Sequence, residues 1–189
     1  MSEAALYGGL YCAWVISEVL ILVVTRTRGG EGEVHDRGSL RVLWLVIVVS
    51  VTAGTWIGEA NAPTMFGGAH WVRSVALVLI VAGLAIRWSA VATLGRSFSA
   101  NVAIHATQTV HRTGLFRFVR HPSYTGLMLV FAGVGLHTRN WAGLAVVLLP
   151  TVAALFYRVR VEEAALFGAF GDDYADYSRK TTRLIPGIY

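Results

Sequence analysis

The sequence predicts an all-α, polytopic membrane protein with about five transmembrane helices. Three observations carry that expectation. Of the 189 residues, 55% are hydrophobic and only 14% are charged, against about 25% charged in an ordinary soluble domain. Mean hydropathy is +0.58. The apolar residues gather in runs close to the roughly 20 that a membrane helix needs. Disorder is excluded, because it requires low hydrophobicity and high charge. The spans must be helices, since an open sheet edge cannot sit in lipid. The net charge is +5 and the isoelectric point about 9.8, yet little surface is left for a basic stripe. No nucleic-acid partner is therefore expected. The positive balance reads as membrane orientation and contact with anionic membrane lipids.

The first span covers about residues 4–24. The Met-Ser-Glu start has no positive n-region, so this run reads as a retained helix rather than a signal peptide. The second covers about residues 42–57 and contains Gly54 and Gly58 at a GxxxG spacing, which reads as close helix packing. The third covers about residues 72–94, the fourth about 122–136, and the fifth about 141–159. The fourth is short, and residues 137–140 leave room only for a tight hairpin with the fifth. Glu18 and Arg87 lie inside spans, where charges usually face a cavity or a partner. Snorkelling of Arg87 to the nearby interface and direct pairing with Glu18 both remain open. One domain, residues 1–189, is expected.

Basic residues alternate between loops. Thirteen Arg and Lys fall after the first and third spans and in the C-terminal stretch from Arg158, at the end of the fifth, and two, Arg73 and Arg139, in the other loops. The positive-inside rule then places the N-terminus outside and the C-terminus in the cytoplasm, and an odd number of spans agrees with termini on opposite sides. Fifteen of the sixteen basic residues are Arg. With the many Ala, Val and Gly, this composition suggests a GC-rich bacterial genome and hence a bacterial plasma membrane. The single Cys12 excludes a disulfide framework and a Cys-based zinc site.

Chemistry concentrates in the loop 95–121 and in the tail from Arg158. The loop holds His105, His111 and His121 with Arg112, Arg117 and Arg120. The histidine separations of six and ten residues match no compact ligand motif, so no metal is expected. No GxGxxG follows a strand, which argues against a Rossmann site. Pro122 suits the first turn of a helix, so Arg120 and His121 sit at a helix N-terminus, suited to an anion or to lipid headgroups. In the tail, Arg158 and Glu162 share a helix face one turn apart. They form either a structural ion pair or a partly desolvated functional one. Phe167, Phe170, Tyr174 and Tyr177 recur at helical spacing and read first as an interfacial apolar face, second as a lid over a ligand.

The segment Gly114-Leu-Phe-Arg-Phe-Val-Arg-His-Pro-Ser-Tyr-Thr-Gly126 resembles the signature of the isoprenylcysteine carboxyl methyltransferase family. Related motifs occur in phospholipid methyltransferases. The tail adds Arg158, Glu162-Glu163, Leu166, Phe170-Gly171, Tyr174, Tyr177, Arg183 and Ile185-Pro186 in the matching order. The resemblance implies a cytoplasmic pocket for S-adenosyl-L-methionine, built from the loop before the fourth helix and the tail, with catalytic elements mainly in residues 95–186. It implies cofactor contacts from Gln108, Val110, His111, Phe116, His121, Pro122, Ser123, Tyr124 and Glu162, and Arg158 on the substrate side. The chain departs from the family at Gln108, His111 and Phe116, where His, an aliphatic residue and Tyr are usual.

What the resemblance implies is a methyltransferase acting on a lipophilic, membrane-embedded acceptor, with carboxyl O-methylation as one option. A carboxylate acceptor is already ionised near neutral pH and needs no base. An amine, phenol or thiol would need one, from Glu162, Tyr124 or a His. Two rival classes stand beside this reading. A sterol-reductase-like, NADPH-dependent membrane oxidoreductase shares the helical layout. A non-enzymatic lipid-binding membrane protein would leave the polar cluster of the loop without a role.

Overall fold

The computed structural model describes residues 3–25, 33–34, 38–61, 69, 71–100, 103–104 and 109–187. The described chain forms α1 (Glu3–Thr25), α2 (Ser39–Ala60), α3 (Trp71–Leu94), α4 (Pro122–His137) and α5 (Trp141–Lys180). A two-residue antiparallel pair, β1 (Glu33–Val34) with β2 (Ala103–Ile104), ties together two of the loops. Sequence reasoning left no strand there; a pair this short, outside the apolar spans, meets no lipid constraint. The predicted spans fall inside the five helices. Four helices are long and apolar enough to cross a membrane. The exception, α4, has 16 residues and reaches about 24 Å at 1.5 Å per residue.

Small residues set the packing. Gly83 of α3 and Gly126 of α4 face each other so closely that a Cβ on either would lie 2.6 Å from the other's carbonyl oxygen. Gly54 does the same for α2 against α5, where a Cβ would meet the Gly143 carbonyl at 2.9 Å, and Gly58 abuts Thr138. The GxxxG pair thus works as a packing face, as expected. Around these contacts lies one apolar cluster that includes Leu43, Ile47, Ile80, Leu84, Val130, Phe131, Val147 and Leu155. Val23, Val24, Leu45, Val78 and Leu149 point outward, an arrangement that suits lipid and not water.

α1 buries little. Trp14 packs edge-on against Phe131 at 5.6 Å, and Tyr7 stacks on His137. Glu18 resolves the buried-charge question: Arg87 donates from Nε to its Oε1 at 2.5 Å and from Nη2 to its Oε2 at 2.6 Å. Arg87 also donates to Ser123 Oγ, so it does not snorkel. The hairpin between α4 and α5 is tight as expected. Asn140 caps α5 by accepting from the Ala142 and Gly143 amides, while Arg139 takes a positive φ of 52°.

The tail is not a separate element. α5 runs for 40 residues, broken at Gly171 (φ 50°, ψ −125°). This backbone is open to glycine and strained for other residues. Beyond the break the chain turns back alongside the segment before α4. The Arg120 amide donates to the Thr182 carbonyl at 2.8 Å, and the His121 amide to the Arg183 carbonyl at 3.0 Å. Thr125 Oγ1 donates to the Leu184 carbonyl at 2.6 Å. The polar ends of α1 to α4 and the middle of α5 therefore converge at one end of the bundle.

Candidate active site

His121 precedes the first turn of α4, with Pro122 at the first helical position. Its ring is 4% exposed and sits between two successive carboxylates of α5. Nδ1 lies 3.8 Å from Glu162 and Nε2 lies 3.6 Å from Glu163. Both distances exceed hydrogen-bond reach, and buried Nε2 has no protein partner among the described residues.

The two glutamates do different work. Glu163 is clamped by Arg120 Nε at 2.8 Å and by Arg183 Nε at 2.8 Å. Burial pushes its carboxyl up, but the His121 ring and the Arg120 guanidinium outweigh that and hold it down at about 2. Arg120 also donates to the Ser178 and Thr181 carbonyls. The sequence suits it to an anion or lipid headgroups; its Nε and Nη1 are instead engaged in fastening the tail. Glu162 turns the other way, 30% exposed at its side chain, and accepts from Tyr124 Oη at 2.8 Å.

Arg158 is 2% exposed. Its Nε donates to Tyr124 Oη at 3.3 Å, Nη1 to Ser39 Oγ at 2.5 Å, and Nη2 to the Ala100 carbonyl. Tyr124 therefore stands between Arg158 and Glu162, accepting from one and donating to the other. The simple one-turn ion pair is replaced by this relay, because Tyr124 on α4 reaches between the two side chains.

These residues border two cavities. The larger is a cleft of about 860 Å³ including its mouth, walled by the loop 94–99, residues 109–124 and α5 from Glu162 to Tyr177. Of the residues predicted for a cofactor, Val110, His111, Phe116, His121, Pro122, Ser123, Tyr124 and Glu162 all line it. Gln108 and His105 lie outside the described residues. Ser123 lines the cleft while holding Arg87. Arg158 does not border this cleft. It lines the smaller cavity, about 480 Å³, with Glu18, Arg87, Leu43, Trp44 and Ile47. Phe98, Ser99 and Tyr124 line both, so the cavities abut at those three side chains.

The aromatic tail corrects the interfacial reading. Phe170, Tyr174 and Tyr177 line the cleft, and the two tyrosines are 3% and 5% exposed. Only Phe167 points outward. The backbone break at Gly171 turns this face inward, which helical spacing alone does not encode. Tyr177 Oη donates to the Phe116 carbonyl at 2.6 Å, and burial pushes its phenol up to about 12. Burial, with Glu163 and Glu162 nearby, also raises Tyr174 far above the ordinary phenol value. Both are donors, not bases, near neutral pH. Tyr174 Oη is buried with no protein partner among the described residues. Sequence reasoning missed Ser39, Phe98 and Ser99. Ser39 is 119 positions from Arg158, and no local pattern connects them.

Residues 76–168 match the sequence model of the isoprenylcysteine carboxyl methyltransferase (ICMT) family. A probable protein-S-isoprenylcysteine O-methyltransferase of Oryza sativa subsp. indica is 34% identical over 125 residues, 63% of this chain and 64% of the rice protein. The protein-S-isoprenylcysteine O-methyltransferase of Schizosaccharomyces pombe is 32% identical over 118 residues, 61% of this chain and 50% of its own length. The match therefore spans less than two thirds of either relative. A solved structure of the eukaryotic intramembrane Ras methyltransferase ICMT superposes with a TM-score of 0.63 at 25% identity, covering 77% of this chain and 52% of that one.

Proposed function

We infer that the chain is an integral membrane protein of the isoprenylcysteine carboxyl methyltransferase family, and from that premise we propose an S-adenosylmethionine-dependent methyltransferase for a lipophilic, membrane-embedded acceptor. Carboxyl O-methylation is the preferred reaction. The observation that carries the reading is the meeting of two unlike cavities at Phe98, Ser99 and Tyr124. One is aromatic and polar and opens among the loop and the tail. The other is largely apolar and lies between the helices, with Arg158 and the Glu18-paired Arg87 on its wall.

The larger cleft fits the cofactor. Phe98, Phe116 and Phe170 offer faces for a purine, and Glu162 offers a carboxylate for a cationic or hydroxyl group. His121 Nε2 and Tyr174 Oη, buried and without a partner among the described residues, are what a polar ligand would satisfy. Bound there, S-adenosylmethionine supplies a methyl group activated by a sulfonium. The chain's part is to orient and to exclude water. Tyr124 Oη donates to Glu162 and keeps that carboxylate aimed at the cleft. Arg158, fixed by Tyr124, Ser39 and Ala100, places its charge where an acceptor carboxylate would dock. An ionised carboxylate attacks without a base. Isoprenylcysteine, named for the relatives, is one such acceptor.

The unit proposed is the whole 1–189 chain, with catalytic elements mainly in 95–186, in a bacterial plasma membrane with the cleft on the cytoplasmic side. Calorimetry of the purified protein tests the reading. S-adenosylhomocysteine should bind and NADPH should not. Binding of NADPH alone would indicate the reductase; binding of neither would leave a lipid-binding protein.

A further inference from the structure

Outside both cavities lies a groove of about 600 Å³, bordered by Arg117, Phe118, Arg179, Lys180, Thr182 and Pro186. It exists because the chain turns at Gly171 and lays Thr182 beside Val119 as a parallel bridge. Arg117, Arg179 and Lys180 are all exposed. Arg179 is neutralised by Asp176. Arg117, stacked at 4.4 Å over the Phe118 ring, and Lys180 have no ion-pair partner among the described residues, so the groove keeps two net positive charges.

Its level in the bundle is set by hydrogen bonds. Thr182 bonds to the segment just before α4, and Leu184 to Thr125 in the first turns of α4. The groove thus sits where α4 leaves the polar end and enters the apolar slab. A large apolar side chain on its wall, Phe118, is 52% exposed, and Ile185, next in the chain to the lining Pro186, is 40% exposed. Cations beside an exposed apolar group at this level match a phospholipid, with phosphate against Arg117 and Lys180 and acyl carbons against Phe118. A soluble anion would leave the exposed apolar flank unexplained.

We propose that this groove binds the headgroup of an anionic phospholipid of the surrounding bilayer and so fastens the tail that walls the cleft. The inference uses the membrane placement of α4 and not the methyl-transfer reading, so each stands or falls separately. The test uses the full chain in neutral detergent micelles, titrated with phosphatidylglycerol, phosphatidylcholine or inorganic phosphate, with the thermal unfolding midpoint as readout. Phosphatidylglycerol should raise the midpoint, while the other two should not. Each basic residue near an anionic surface contributes roughly fivefold, so Arg117→Gln with Lys180→Gln should raise the half-saturating concentration about thirtyfold. The single variants should each give about fivefold, which keeps the test valid should the double variant fail to fold. An equal response to phosphatidylcholine, reproduction of the shift by inorganic phosphate, or wild-type affinity in the folded variants would overturn the proposal.

Discussion

Tyr124 is the residue on which the two cavities turn. It accepts from Arg158 and donates to Glu162, so its loss should be felt on both sides. Tyr124→Phe should weaken S-adenosylhomocysteine binding and slow turnover, and His121→Ala should weaken binding. Loss of a buried or charge-assisted hydrogen bond costs about 1.5–3 kcal/mol. Calorimetry on folded variants checks this, and unchanged affinity would remove both residues from the site. Arg158 and Glu162 should differ in kind. Arg158→Ala should cut turnover by orders of magnitude with affinity nearly intact, since its guanidinium borders only the smaller cavity. Glu162→Ala should weaken affinity directly. Arg158→Lys should rescue poorly, because one ammonium cannot replace a fork that already reaches Tyr124, Ser39 and Ala100. A host lipid extract with methyl-labelled cofactor supplies the assay, and wild-type turnover by Arg158→Ala would sink the assignment.

Among the elements, α5 carries the most distinctive device. Its break at Gly171 folds Tyr174 and Tyr177 over the cleft, and a Cβ there would meet open space. Any cost of Gly171→Ala is therefore backbone strain, of about 1–3 kcal/mol, and should appear both in thermal stability and in S-adenosylhomocysteine affinity. Stability loss with unchanged affinity would show that the tail does not shape the site. The Glu163 clamp has a pH signature. Its carboxyl is held down at about 2, below its value in the unfolded chain, so the clamp contributes fully above the ordinary carboxylate range. That contribution is lost as pH falls through this range toward 2. Thermal midpoints of the wild type should drop over this window. Glu163→Gln should be less stable at neutral pH and lose less on acidification. Parallel curves for the two proteins would refute the assignment.

For the whole molecule, the thirteen-to-two division of basic residues predicts one orientation. In a Cys12→Ser background, Asn61→Cys at the end of α2 should react with an impermeant thiol reagent in intact cells. Asp172→Cys in the tail should react only after the membrane is opened. Both positions are exposed, so burial does not confuse the readout. The reverse pattern would invert the protein and place the cleft outside. The Glu18–Arg87–Ser123 network has a role at this scale too. It is the polar tie by which α1, otherwise little buried, joins α3 and the first turn of α4.

Sequence alone determined the membrane class, the five helices and their approximate limits, because apolar run length and glycine spacing are local properties. It also picked out most of the cleft wall, through an ordered motif in which Val110 to Tyr124 lie close along the chain. Tertiary structure decided how the charges are shared. Whether Arg120 meets a lipid or Glu163, whether Arg87 meets solvent or Glu18, and whether Arg158 meets Glu162 or Tyr124 depends on side chains brought together across 34 to 69 positions. It also decided that the tail aromatics face inward, since one glycine backbone angle redirects the helix without altering the spacing of the residues along it. Periodicity reports which residues share a face; only the path of the chain reports what that face meets.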